Sequence, residues 1–302
     1  MNRLQINRRQ FIRTSAVAVA GTALLTPALA AATKRTATDQ VTLGKTGIKL
    51  SRIGIGTGSN NGHEQTAEGK EAFIKMIHHG YDSGITYIDT AERYATFPWI
   101  GDAIKGLPRE KLFIQTKVPG QPEDVLAAID HHRKTFNTDY LDSVLIHCMT
   151  DSNWTDGWKR IMDGFDEAKE KKWLRAKGVS CHTLGALTSA TKSDWTETHL
   201  VRINPMGRYM DTPTPKEVWN RNLAVDVDPV MEQIKSMHAK GHGVIGMKIF
   251  GNGDFKDPAE REKSLRFAMS KPEINAIVVG LTTPEQIDEL ISKLNSILAE
   301  EV

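Results

Sequence analysis

Seven apolar, β-branched runs follow one another along the chain: TYID, LFIQTKV, SVLIHC, LRAKGVS, HLVRIN, GVIGMKIF and NAIVVGL. An eighth, Ile53–Gly56, precedes them. Near-continuous apolar strands are expected where both faces of a sheet are covered, as in parallel sheets. The intervening stretches have the other periodicity. Phe73, Met76, Ile77 and Gly80 fall on one helical face, as do Trp158, Ile161, Met162 and Phe165. Ile287, Leu290, Ile291, Leu294 and Leu298 make a third stripe. Asp257-Pro258-Ala259-Glu260 and Thr283-Pro284-Glu285-Gln286 each offer a cap, a proline at the first helical position and a capping-box partner. Such alternation predicts an α/β fold, a closed (β/α)8 TIM barrel, with a doubly wound sheet as the alternative. Before it, VTLGKTGIKLSRIGIGT reads as an N-terminal β-hairpin turning at Gly44-Lys45-Thr46-Gly47.

The first thirty residues have a different character. Asn7-Arg8-Arg9-Gln10-Phe11-Ile12-Arg13 leads into SAVAVAGTALLTPALA, which ends in Ala28-Leu29-Ala30. That is a charged start, a short apolar run and a small-residue cleavage site. The paired arginines before x-Phe-Ile resemble the twin-arginine (Tat) export signal, which implies the Tat machinery as a partner and a periplasmic or otherwise exported product cleaved near Ala30. The expected division is a signal over 1–30, a polar linker over 31–40 and a barrel over 41–302. The formal charge of +2 becomes −2 without those thirty residues, which hold four arginines and no acid. A mildly acidic body does not suggest a nucleic-acid partner. No internal apolar run reaches the ~18 residues of a membrane span, and no cysteine follows the signal, so no stable membrane anchor is expected. Two cysteines, Cys148 and Cys181, are too few for a disulfide scaffold, and no His/Cys spacing indicates a metal. The two end neighbouring strands, so either a disulfide or two free thiols is open.

Gly54, Gly56, Gly58 and Gly62 tempt a dinucleotide-fingerprint reading, but no helix opens at them. A flexible loop after the first strand is the better expectation. In a (β/α)8 barrel the C-terminal strand ends form the active face. Asp89, Lys117 and His147 end strands two, three and four, and Tyr94 lies in the loop after strand two. One such group in an apolar strand is usually structural; four on one rim point to chemistry. Trp99, just beyond, would wall a substrate pocket or pack on a helix.

Leu43-Gly44-Lys45-Thr46-Gly47, Gly54-Ile55-Gly56-Thr57, Ile88-Asp89-Thr90-Ala91-Glu92-Arg93-Tyr94, Thr116-Lys117-Val118, Thr138-Asp139-Tyr140-Leu141-Asp142, Leu145-Ile146-His147 and Gly178-Val179-Ser180 together resemble the aldo-keto reductases over most of residues 41–290. The resemblance implies an oxidoreductase moving a hydride between NADP or NAD and a small-molecule carbonyl or alcohol. It maps a catalytic tetrad onto Asp89, Tyr94, Lys117 and His147. A free tyrosine has a pKa of ~10. A lysine ammonium beside it would lower that value, Asp89 would hold the lysine charged, and His147 would orient the carbonyl.

The resemblance sets the cofactor against Gly56, Thr57, Ser180, Lys248, Gly280, Gln286 and Glu289. Departures gather in that half. Cys181 stands where the family has asparagine, and Leu200 or Arg202 where it has glutamine. Gln286 stands for a phosphate-pairing arginine and Leu290 for an asparagine. Lys248 or Lys271 would have to supply the missing charge. Other readings are a cofactor-retaining isomerase, epimerase or dehydratase of keto-sugars, or a non-catalytic ligand-binding barrel. An exported enzyme would carry its cofactor out already bound, under a strap such as KIFGNGD, residues 248–254.

Overall fold

The computed structural model describes residues 35–220 and 222–300; the expected signal, 1–30, lies outside the described residues. Eight parallel strands close a barrel: β3 (Ile53–Gly56), β4 (Tyr87–Asp89), β5 (Phe113–Pro119), β6 (Leu141–Met149), β7 (Leu174–Cys181), β8 (Thr198–Arg202), β9 (Gly243–Met247) and β10 (Ala276–Gly280). β10 pairs with β3, Ile277 opposite Ile53, and this closure excludes the doubly wound alternative. Helices cover the outside. The expected stripes are the buried ones: Phe73, Met76, Ile77 and Gly80 on Gly69–Asp82, and Ile287, Leu290, Leu294 and Leu298 on Pro284–Glu300. Asp257 caps Pro258–Met269 by accepting from the Ala259 N–H. Between β4 and β5 there are only short helical turns, Phe97–Trp99, Ile100–Ala103 and Arg109–Lys111, because Pro98, Gly101, Gly106 and Pro108 interrupt any longer helix.

The expected hairpin is β1 (Gln40–Thr42) paired antiparallel with β2 (Lys49–Ser51). It stoppers the N-terminal end of the barrel. Leu43, Ile48 and Leu50 join the interior cluster of Tyr87, Phe113, Leu145, Ala176, Leu200, Ile245 and Val278. Lys45 N–H donates to the Gly241 carbonyl at 2.7 Å. Gly44, at φ 51°, comes so close that a Cβ there would sit 2.4 Å from the Gly243 nitrogen. With that end filled, open space is left at the C-terminal mouth.

Side-chain alternation then decides what reaches the mouth. Tyr87 and Asp89 of β4 point inward. So do Phe113, Gln115 and Lys117 of β5, in register with them: Tyr87 opposite Phe113, Asp89 opposite Gln115. On β6 the inward row is Ser143, Leu145, His147. There a β-bulge shifts the register between Ile146 and Met149, and Cys148 takes φ 58°. The extra residue sends Met149 back to the outer core, while His147 stays at the mouth.

Candidate active site

Lys117 is the centre of a buried network. Its Nζ donates to Asp89 Oδ2 at 2.7 Å and to the Thr90 carbonyl at 2.8 Å, with the lysine side chain 1% exposed. Gln115 Nε2 donates to the other Asp89 oxygen at 2.9 Å and to the Tyr87 hydroxyl at 2.9 Å. Gln115 Oε1 accepts from Ser143 Oγ at 3.1 Å. Burial pulls the Lys117 ammonium toward neutrality, but Asp89 and Tyr94 more than offset it, so its pKa lies above the usual 10.5.

Tyr94 comes from the turn after β4, closed by its own N–H to the Ala91 carbonyl at 2.9 Å. Its ring centroid is 5.1 Å from Lys117 Nζ, close enough for the ammonium to favour the phenolate. His147 meets the ring edge-on, centroids 5.7 Å apart and planes at 83°. On the other side the ring lies against bare Gly58, where a Cβ would be 2.3 Å from Tyr94 Cε2. Burial pushes the phenol above its usual 10, Lys117 holds it down and Asp89 pushes it up again. The net direction is therefore the reverse of the sequence expectation: desolvation outweighs the ammonium. The phenol stays protonated and can donate. Burial lowers His147 to about 3, aided by Lys117 and Arg93, so the imidazole is neutral; its buried Nδ1 has no partner.

The glycine-rich segment after β3 is a packed wall rather than a flexible loop. Gln65 Nε2 bonds the Gly56 carbonyl at 3.2 Å and Ser59 Oγ at 2.7 Å, and Ala95 N–H bonds the Asn61 carbonyl at 2.9 Å.

From Tyr94 a groove of about 430 Å³ runs outward. It passes Gly56, Gly58, Lys248 and Phe250, then Gly280 and Thr282, and reaches Arg261, Gln286, Glu289 and Lys293. Five of the seven expected cofactor residues line the groove: Gly56, Lys248, Gly280, Gln286 and Glu289. Thr57 is fully buried and instead ties β3 to β4, its Oγ1 donating to the Asp89 carbonyl at 3.1 Å. Gln286 Oε1 is occupied by the Thr282 N–H at 2.9 Å. Lys248, at φ 60° just past β9, donates to Asn252 Oδ1 at 2.6 Å within the expected strap. Burial, then Arg202, lowers its pKa to about 8. Trp99 is not brought to the site: it packs on Phe73 outside the barrel, centroids 5.8 Å apart.

Ser180 lies beside the tetrad, its Oγ 3.4 Å from His182 Nε2. Arg202, not Leu200, holds the mouth position on β8, since Leu200 is one layer down in the interior cluster. The guanidinium is fully buried. It donates to His182 Nδ1 at 2.5 Å and to the Val218 carbonyl at 3.1 Å, and lies under the Trp219 ring at 5.0 Å. Asp211 faces its Nε at 3.9 Å, with neither carboxylate oxygen hydrogen-bonded, and burial raises its pKa to about 7. Cys181 turns outward into the core between barrel and helices, and both cysteines are free. Among the described residues no cluster of three or more metal-ligating side chains occurs.

The aldo/keto reductase family model matches residues 52–263. The chain belongs to the aldo-keto reductase family. This aldo-keto reductase is 34% identical to a glyoxal reductase of Bacillus subtilis over 140 residues, 44% of this chain and 46% of that one. It is 27% identical to an aldehyde reductase of Saccharomyces cerevisiae over 225 residues, 69% of this chain and 68% of that one. The chain spans half or less of the length of the first curated relatives it matches, 50% and 46%. Among solved structures, an aldo-keto reductase from Bacillus halodurans in its holo form superposes with a TM-score of 0.67 at 15% identity, covering 87% of this chain and 96% of that one. One from Klebsiella pneumoniae, in complex with NADPH, gives 0.64 at 18% identity, covering 86% and 89%. At such identities the likeness is one of fold.

Residues that the sequence reading passed over complete this aldo-keto reductase's site. Gln115 and Tyr87 are two residues before Lys117 and Asp89 on the same inward rows, so strand alternation alone would have found them. Nothing in the sequence marked Gly58 as the surface under Tyr94, or His182 as the acceptor for Arg202.

Proposed function

We propose that this protein is an exported, nicotinamide-dependent carbonyl reductase in which Tyr94 donates the proton. The observation that carries the reading is the buried Asp89–Lys117 pair, charged at the lysine, with Tyr94 beside it at the groove. The groove offers an extended ligand both charges: Lys248, Lys256, Arg261 and Lys293 line it with Glu64, Asp89, Glu262 and Glu289, and Gly56, Gly58 and Gly280 leave its walls without side chains near Tyr94. A bound NADPH or NADH would supply the hydride, held by Lys248 and the 280–289 segment. Tyr94 then hydrogen-bonds the substrate oxygen and hands over its proton as negative charge develops there. Lys117 stabilises the phenolate left behind. His147, neutral, offers a hydrogen bond that fixes the oxygen without competing for the proton. The Arg202–His182 pair closes the side of the mouth where the family resemblance expects a glutamine, and it holds Ser180 buried beside His182.

Export belongs to the same reading, resting on Arg8-Arg9-x-Phe-Ile and Ala28-Leu29-Ala30. The enzyme would then leave the cytoplasm with its dinucleotide bound. The test is mass spectrometry of small molecules released on denaturing natively purified protein, followed by rates of NADPH and NADH oxidation with para-nitrobenzaldehyde. Bound dinucleotide is expected, with turnover lowered by at least about 10²-fold, to a small residual rate, in Tyr94→Phe. A protein that is empty and binds neither added NADPH nor NADH would refute the reading; N-terminal sequencing that begins far from Ala31 would refute export alone.

A further inference from the structure

Behind the tetrad, on the outer side of the barrel wall, one imidazole touches both catalytic segments. His132, fully buried on helix Val125–Phe136, has Nδ1 2.8 Å from Thr116 Oγ1 and Nε2 3.1 Å from Glu92 Oε2. Thr116 is the outward neighbour of Lys117, and Glu92 is two residues before Tyr94. We propose that His132 is a positioning residue, a brace that sets the Tyr94 turn against the Lys117 strand and so fixes the phenol–ammonium contact; this rests on Tyr94 being the proton donor.

The hydrogen-bond inventory allows one consistent arrangement for a neutral ring. Thr116 O–H donates to Nδ1, and Nε2–H donates to the Glu92 carboxylate. Burial favours that neutral ring, while the hydrogen bond from His132 holds the Glu92 carboxyl below its usual range, so the acceptor stays charged. Phe97 meets the imidazole edge-on at 4.8 Å and Phe136 packs at 6.1 Å, which fixes its rotamer. The turn is thereby gripped from two sides. Inside the barrel, Lys117 Nζ holds the Thr90 carbonyl; outside, His132 holds Glu92, and Glu92 N–H reaches the Lys117 carbonyl at 3.3 Å. With Glu92 anchored outward, Arg93 is left exposed beside His147, and Tyr94 faces the groove. A buried triad of this kind cannot itself be a nucleophilic site, because Thr116 is wholly inaccessible.

The test is a double-mutant cycle on the full chain with para-nitrobenzaldehyde and NADPH. His132→Phe keeps the ring volume and removes both hydrogen bonds. Displacing a catalytic group by an ångström costs on the order of 10²-fold in rate, so kcat is expected to fall by about ten- to a hundredfold with KM little changed. In a Tyr94→Phe background the same substitution should change the residual rate less than about twofold, because it acts through the phenol. Glu92→Gln, which keeps an acceptor, should recover most of the loss seen in Glu92→Ala. If His132→Phe folds poorly, Thr116→Val removes only one hydroxyl and carries the same expectation. An unchanged kcat, or an equal loss in both backgrounds, overturns the brace and leaves a stabilising contact. If Tyr94→Phe itself keeps full turnover, it is the proton-donor reading that fails.

Discussion

Replacing Asp89 by asparagine isolates what the carboxylate does for Lys117. The side chains are nearly isosteric, so packing is retained. Whichever way the new amide lies, it presents a donor either to Lys117 Nζ or to Gln115 Nε2, which now bond opposite oxygens of Asp89 at 2.7 and 2.9 Å. With the lysine side chain 1% exposed, water cannot replace the lost partner. Removing one member of a buried pair costs about 3–5 kcal/mol. At roughly 2–4 °C per kcal/mol for a domain of this size, Tm should fall by about 6–20 °C near neutral pH. The pH dependence gives the sharper signature. In the wild type the folded pKa of Lys117 lies above 10.5, so its stabilisation is complete below that value and is lost only as pH rises through the higher folded one. In the variant, burial is no longer offset and the folded value drops below 10.5. The unfolded chain then binds more protons than the folded one, and stability increases with pH up to that point. Calorimetry at about pH 6.5 and about pH 9.5 should show the two proteins' Tm values converging at the higher pH. A loss of equal size at both, or one below about 1 kcal/mol, would mean that Asp89 is not what keeps Lys117 charged.

Gly58→Ala puts a methyl 2.3 Å from Tyr94 Cε2, so the ring must move; kcat should drop by on the order of 10²-fold, checked by steady-state kinetics. At saturating dinucleotide, kcat for carbonyl reduction should be level between about pH 5 and about pH 9, since His147 titrates near 3 and the Tyr94 phenol above 10. It should fall only as the phenol ionises, and an apparent pKa of about 6 to 8 in kcat would contradict this. Lys248 is charged below about 8 and neutral above it. Dinucleotide affinity, measured by fluorescence titration, should therefore weaken as pH rises through that value, and Lys248→Met should be weak and pH-independent.

The strand ends were the most legible part of the site. Asp89, Lys117 and His147 each close an apolar run, and strand alternation is a local rule that needs no knowledge of neighbours. The same rule placed Arg202 two residues above Leu200, once the register was known. The cofactor half was less legible. Thr57 and Cys181 sit one residue from inward positions and are turned away, toward a strand contact and the outer core. Trp99 was legible only as an aromatic near Tyr94; Phe73, on another helix, took it. The direction in which the Tyr94 pKa moves is not legible in the sequence, because a neighbouring charge follows from spacing, whereas the depth of burial does not.

By itself the amino-acid order determined the number and kind of elements, the N-terminal hairpin and the four side chains at the mouth. These follow from local periodicity, capping and strand parity. Tertiary structure decided the rest: that the sheet closes, that a bulge holds His147 at the mouth, that Gly58 backs the tyrosine and that His132 spans two segments. Those features depend on distances between residues far apart in the chain. Such distances follow from register, closure and packing, which emerge only when the whole core is assembled.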